Sequence, residues 1–186
     1  MQKTRDYTRK QRYLKRLPTA NFLPVELCTV NFKFDQNLGF LIRAAACFGV
    51  RKINIIGSIP DRNKLKSYSG SLCDYVVLES FSNPSEYLEY VKKTGQKIIS
   101  AEISNSAKSI SGIDFSNFSN FHLVVGNEST GVPEEILRKS VPVYVPLPGI
   151  GYCLNTSQAA NIFLYEISKQ NINNKAVRSS KCEKQK

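Results

Sequence analysis

Residues 121–131 read FHLVVGNESTG, and this stretch decides the class of fold. Phe121, Leu123, Val124 and Val125 form an apolar run without the alternation of a half-buried strand. Such a run suits a strand covered on both faces of a parallel sheet. The strand is placed over His122–Gly126, with the single histidine read as a strand residue and not as a metal ligand or catalytic group. Gly126 and Gly131 then bracket a polar loop at the strand's carboxyl end, where open α/β sheets hold their ligands. Glu128 is a candidate site residue in that loop, with capping of the following helix as its alternative use.

Similar runs recur on either side. Strands are expected over Val25–Phe32, Lys52–Gly57, Tyr75–Leu78, Lys97–Ile103 and Val143–Leu147. Helical segments lie between them. Asn83 and Pro84 can open one that Gly95 ends. Pro133, Glu134 and Glu135 open another, closed by Arg138 and Lys139 as the helix dipole favours. A last helix follows Asn155, Thr156 and Ser157, with Ala160, Phe163, Leu164 and Ile167 as its core stripe. Alternating β and α elements predict an α/β fold, a mostly parallel sheet flanked by helices.

Charge divides the chain into three parts. It has 186 residues, 41% hydrophobic and 22% charged, which suits one folded domain and rules out wholesale disorder. The net charge is +11. Residues 1–18 carry seven basic side chains against Asp6, and residues 169–186 carry six against Glu183. Residues 19–168 hold thirteen of each sign. This reads as a basic N-terminal extension, a neutral domain and a basic, flexible C-terminal tail. Two basic arms on a neutral body point to a polyanion, most simply nucleic acid, with plain solubility as the alternative. Arg5, Arg9, Arg12 and Arg16 share one side of a helical wheel and are the candidates to bind its phosphates. Tyr7, Tyr13, Leu14 and Leu17 lie on another side, able to dock on the domain.

Several classes of function lose ground. No apolar run reaches the ~18 residues of a membrane span, and the first residues lack the apolar stretch of a secretory signal. Five cysteines without a CxxC pair suit neither a disulfide framework nor zinc, so a cytoplasmic protein that needs no metal is expected. There is no Walker loop, dinucleotide fingerprint or nucleophile elbow, which argues against NTP hydrolysis, hydride transfer and serine hydrolysis.

Two further segments look like sites. One runs from Asn31 through Asn37 and Gly39 to Arg43. Asn37 and Gly39 permit a tight turn, and Arg43 follows early in an apolar helix, where an arginine is costly to bury unless it meets an anion. A surface arginine is the alternative. The other, Val145 to Ser157, is a proline- and glycine-bearing loop before the final helix.

Taken in order, Asn37–Arg43, Gly126–Gly131 and Pro146–Ser157 resemble the three motifs of the SpoU-type (TrmH-like) ribose 2′-O-methyltransferases of the SPOUT superfamily. The resemblance covers about residues 25–168. It implies an α/β fold whose C-terminal segment forms a deep trefoil knot. It implies S-adenosylmethionine as cofactor, held by Ile103, Gly126, Val145, Leu147, Cys153 and Leu154. It implies a homodimer whose sites are completed by the partner subunit, and an RNA substrate, transfer RNA before ribosomal RNA. By match, Arg43 is the residue of ribose activation, with Asn37, Glu128, Asn155 and Cys153 as the other catalytic positions. One departure stands out: Cys153 occupies the usual place of a serine, and a thiol is a weak hydrogen-bond donor. The rival readings are a non-catalytic RNA-binding protein of the same fold and a base-methylating relative in the superfamily.

Overall fold

The computed structural model describes residues 8–183, with side chains through residue 172. Seven strands form one sheet: β1 (Val25–Val30), β2 (Lys52–Ile56), β3 (Val77–Phe81), β4 (Lys97–Ala101), β5 (Lys108–Ser109), β6 (Phe121–Val125) and β7 (Ser140–Tyr144). Their spatial order is β3-β2-β1-β6-β4-β7-β5, and every pairing is parallel. The sheet is thus wholly parallel, one step beyond the mostly parallel sheet expected.

Side-chain alternation splits the core into two layers. Leu27 pairs with both Ile53 and Leu123, and Leu123 with Ile99, giving a continuous apolar row on one face. That row is covered by α2 (Asp35–Phe48), through Leu38, Leu41, Ile42 and Ala45, and by α6 (Thr156–Glu183), through Ala160, Phe163, Leu164 and Ile167. On the other face Cys28, Ile56 and Val124 pack against Tyr87, Leu88 and Val91 of α4 (Pro84–Thr94) and Ile136 of α5 (Glu134–Leu137). Burial on both faces explains why the strand sequences read as apolar runs.

His122 points into this second layer. It is fully buried between the rings of Tyr87 and Tyr90, at 5.6 and 5.9 Å, and neither ring nitrogen has a hydrogen-bond partner among the described residues. Burial pushes its imidazole down to about 4. It is a neutral core residue, as expected.

Several boundaries differ from the sequence reading. The third strand begins at Val77, not Tyr75, because Leu72–Tyr75 closes into a 3-10 turn and the strand extends to Phe81 through polar Glu79 and Ser80. β7 starts at Ser140 and contains Pro142, where the expected strand began at Val143. The Val143 carbonyl accepts from Glu102 N–H on the β4 side (3.0 Å). Alternation therefore turns the ring nitrogen of Pro142 toward β5, which reaches only Val143 and Tyr144, so no ladder donor is missed. Asn37 and Gly39 form no tight turn; both lie inside α2. Gly39 serves a close approach instead. A Cβ there would lie 2.4 Å from Tyr68 Cβ on α3 (Arg62–Ser69).

The described parts of both arms are largely helical. α1 (Arg9–Arg16) opens with a capping box of Thr8 and Gln11. It docks through Tyr13, whose hydroxyl donates to the Gly70 carbonyl (3.3 Å) and whose ring meets Tyr75 edge-on at 5.6 Å. Leu14 and Leu17 stay about half exposed and Tyr7 lies outside the described residues, so among the described residues the expected apolar docking face reduces to Tyr13. Arg9, Arg12 and Arg16 are exposed, and Arg5 lies outside the described residues. At the other end the backbone from residue 169 continues α6 to Glu183, where a flexible tail was expected. Beyond Gly151 the sequence has no glycine or proline to stop a helix.

Candidate functional site

The carboxyl ends of β4, β6 and β7 open into a cavity of about 610 Å³, roofed by the segment from Val145 to Thr156 and the start of α2. This is the end of a parallel sheet where connecting loops converge and ligands bind. Ile103, Gly126, Val145, Leu147, Cys153 and Leu154 all line it, as do Asn37, Glu128 and Asn155.

Three polar side chains from distant parts of the chain join at its wall. Asn37 Nδ2 donates a short hydrogen bond to Glu128 Oε1. Glu128 Oε2 also accepts from the Lys33 backbone N–H (2.9 Å). Asn155 Nδ2 donates to Asn37 Oδ1 (3.1 Å), while Asn155 Oδ1 accepts from Ser157 N (2.9 Å) and Oγ (2.7 Å). Asn155 thus caps the first turn of α6 and passes the connection to α2 and to the loop after β6. Every polar atom of the Asn37 amide is engaged, so this chain works by fixing three segments relative to one another.

The loop after β6 is folded by its own residues. Asn127 and Gly131 exchange backbone hydrogen bonds, 3.0 Å each, and Asn127 Nδ2 donates to the Asn31 carbonyl. Gly126 is required by contact: a Cβ there would lie 2.3 Å from Gly131 C and 2.5 Å from Val132 N. Glu102, just past β4, was not anticipated. Its Oε2 accepts from Val132 N–H (2.9 Å) and its Oε1 from Ile103 N–H (3.1 Å), so it ties the loop to the neighbouring strand. The available signal was an acid directly after an apolar strand.

Arg43 does not join this group. It is exposed, forms no ion pair among the described residues, and does not line the cavity. Helical geometry gives the reason. At about 100° per residue, six residues turn Arg43 roughly 120° away from Asn37. It lies instead against Gly70, where a Cβ would be 3.6 Å from Arg43 Nη1 and 3.8 Å from Arg9 Nη1. Cys153 is exposed at the cavity rim. Around it the roof presents Ile150 and Tyr152 almost wholly to solvent, and Ile162 and Tyr165 are exposed on α6.

Among the described residues no group of His, Cys, Asp and Glu could hold a metal ion, and no helix is long and apolar enough to cross a membrane.

Residues 24–165 match the model of the SpoU rRNA Methylase family. The chain is 27% identical over 142 residues to a tRNA (guanosine(18)-2′-O)-methyltransferase of Aquifex aeolicus, covering 75% of this chain and 66% of that protein. It is 30% identical over 135 residues to the 23S rRNA (guanosine(2553)-2′-O)-methyltransferase RlmP of Bacillus subtilis, covering 70% of this chain and 52% of that protein. It therefore spans between about half and two thirds of the length of these curated relatives. The crystal structure of the A. aeolicus TrmH/SpoU tRNA modifying enzyme superposes with a TM-score of 0.77 at 25% identity, covering 89% of this chain and 85% of that one.

Proposed function

The chain belongs to the SpoU rRNA methylase family, and from that premise we propose that it is an RNA ribose methyltransferase. It moves a methyl group from S-adenosylmethionine to a ribose 2′-hydroxyl, with transfer RNA favoured over ribosomal RNA. The observation that carries this reading is the Glu128–Asn37–Asn155 chain in the wall of a 610 Å³ cavity.

The residues present fit the cofactor. The cavity volume falls in the usual range for small-molecule sites, roughly 300–1,000 Å³. Ile103, Val145, Leu147 and Leu154 offer apolar surface for a purine, and the carboxylates of Glu102 and Glu128 suit a cation. When bound, the cofactor supplies a methyl group made electrophilic by a positively charged sulfur.

A ribose 2′-hydroxyl is a poor nucleophile until its proton is polarised or removed. Glu128, Asn37 and Asn155 hold the loops that define where it sits, since in-line transfer asks mainly for alignment. Arg43 stabilises the developing alkoxide electrostatically, with an RNA phosphate as the proton's acceptor. A guanidinium alone is too weak a base for that task. Because Arg43 lies outside the cavity of its own chain, the working unit is a homodimer in which it completes the site of the partner subunit. The exposed Ile150, Tyr152, Ile162 and Tyr165 support such an interface. The exposed arginines of α1 hold phosphates without reading sequence. A trefoil knot belongs to the same reading. Gln170 on α6 bonds Phe115 N–H (2.7 Å) and the Ile113 carbonyl (3.0 Å), so the final helix packs under the long β4-to-β6 connection.

Arg43→Ala tests the proposal. Methyl transfer to unmodified transfer RNA should fall at least ~100-fold, with 2′-O-methylnucleosides absent from digests. Calorimetric binding of the cofactor should stay intact. Full activity in that variant would refute the assignment. Mapping 2′-O-methyl positions in RNA from cells with and without the protein would identify the nucleotide.

A further inference from the structure

Beside the cavity lies a second, shallower cleft of about 440 Å³, with Lys33, Phe34, Lys64 and Tyr68 in its walls. We propose that this cleft seats a nucleobase of the bound RNA, stacked on Phe34 and Tyr68, with its phosphates met by Lys33 and Lys64. The proposal rests on the RNA reading above and adds a base-binding subsite to it.

Three observations carry it. First, large aromatic rings are exposed here together: Phe34 is 52% exposed, Phe40 43% and Tyr68 38%, and Phe40 meets Tyr68 edge-on at 6.0 Å. Single exposed apolar side chains are ordinary, but a cluster marks a binding surface. Second, cations rim the rings. Lys33 Nζ stands 5.7 Å from the Phe34 ring centroid and forms no ion pair among the described residues. Lys64 meets Asp35 at 3.6 Å, but both side chains are well exposed, so water and salt screen the pair. Aromatic faces flanked by lysines suit a base joined to phosphates. Third, the cleft adjoins the reaction site. Phe34 and Gln36 line both hollows, and the Lys33 backbone is fixed to Glu128 (2.9 Å). The shared wall puts the cleft within reach of a base whose ribose offers its 2′-hydroxyl to the cavity.

Nitrocellulose filter binding of bulk transfer RNA to the full chain, repeated across salt concentrations, tests the proposal. Stacking is uncharged, whereas each phosphate contact adds just under one unit to the slope of log K against log salt. Phe34→Ala and Tyr68→Leu should weaken binding roughly 5- to 150-fold with the slope unchanged. Tyr68→Leu keeps the Cβ that packs on Gly39, and Phe34→Trp should restore affinity. Lys33→Ala and Lys64→Ala should weaken binding and lower the slope. Affinities within twofold of the parent for both aromatic variants would overturn the proposal. So would weakening that follows a change of oligomeric state in sedimentation, which would make the cleft a contact between copies. Methyl transfer is measured separately. An RNA that binds with this aromatic dependence but is not methylated would sink the enzymatic reading and leave the subsite standing.

Discussion

Acidification from pH 7.5 to 5.0 should cost the fold about 2 kcal/mol through His122 alone. Its side chain is wholly buried against Tyr87 and Tyr90, without a hydrogen-bond partner among the described residues. Burial pushes the imidazole from 6.5 down to about 4; Glu26 pulls it back up, and the Lys52 charge adds to the lowering. The unfolded chain therefore takes up a proton near 6.5 that the folded protein refuses until about 4. Stability is complete above the unfolded value and falls as pH drops toward the folded one. One pH unit between the two values is about 1.4 kcal/mol. Integrating the proton uptake from pH 7.5 to 5.0 gives the figure of about 2 kcal/mol. Urea unfolding followed by circular dichroism at both pH values measures it. His122→Phe keeps an aromatic ring in the slot and removes the titration, so it should lose most of the difference. Equal pH dependence in parent and variant, within about 0.5 kcal/mol, would refute the reasoning.

Other expectations follow from the site. Glu102→Ala strands the Val132 N–H and should cost about 1–3 kcal/mol of stability, seen in the same urea titration, and should raise the calorimetric Kd for S-adenosylmethionine. Gly126→Ala drives a methyl group into the Gly131–Val132 backbone and should abolish cofactor binding; unchanged affinity would show that the loop gives way. Cys153→Ser should be tolerated or raise turnover, because the thiol lies at the rim and no hydrogen bond depends on it among the described residues; complete loss of methyl transfer would reveal a specific use of the sulfur.

Much of the site was legible because parallel strands buried on both faces write continuous apolar runs, and the loops after them carry the glycines and amides. Gly126, Glu128, Asn155 and the apolar positions from Ile103 to Leu154 fall where those loops converge. Local sequence also showed the cap at Asn83 and the stop at Gly95. It misplaced what depends on neighbours. Gly39 looked like a turn residue, yet it is a helical glycine shaped by Tyr68, almost thirty residues away.

The sequence by itself determined the alternation of strand and helix, the fully buried central strand and the order of the three site segments. These follow from local pattern: apolar periodicity, caps and breakers act over a few residues. Only the tertiary structure decided how the segments meet. Glu128 reaches Asn37 across 91 residues and Asn155 reaches it across 118, pairings that no spacing rule contains. It also decided that Arg43 faces away from the cavity on the same helix that brings Asn37 into it. That is a matter of helical phase against a packed neighbour, and the chain settles it only when α2 lies down between the sheet, α3 and α6.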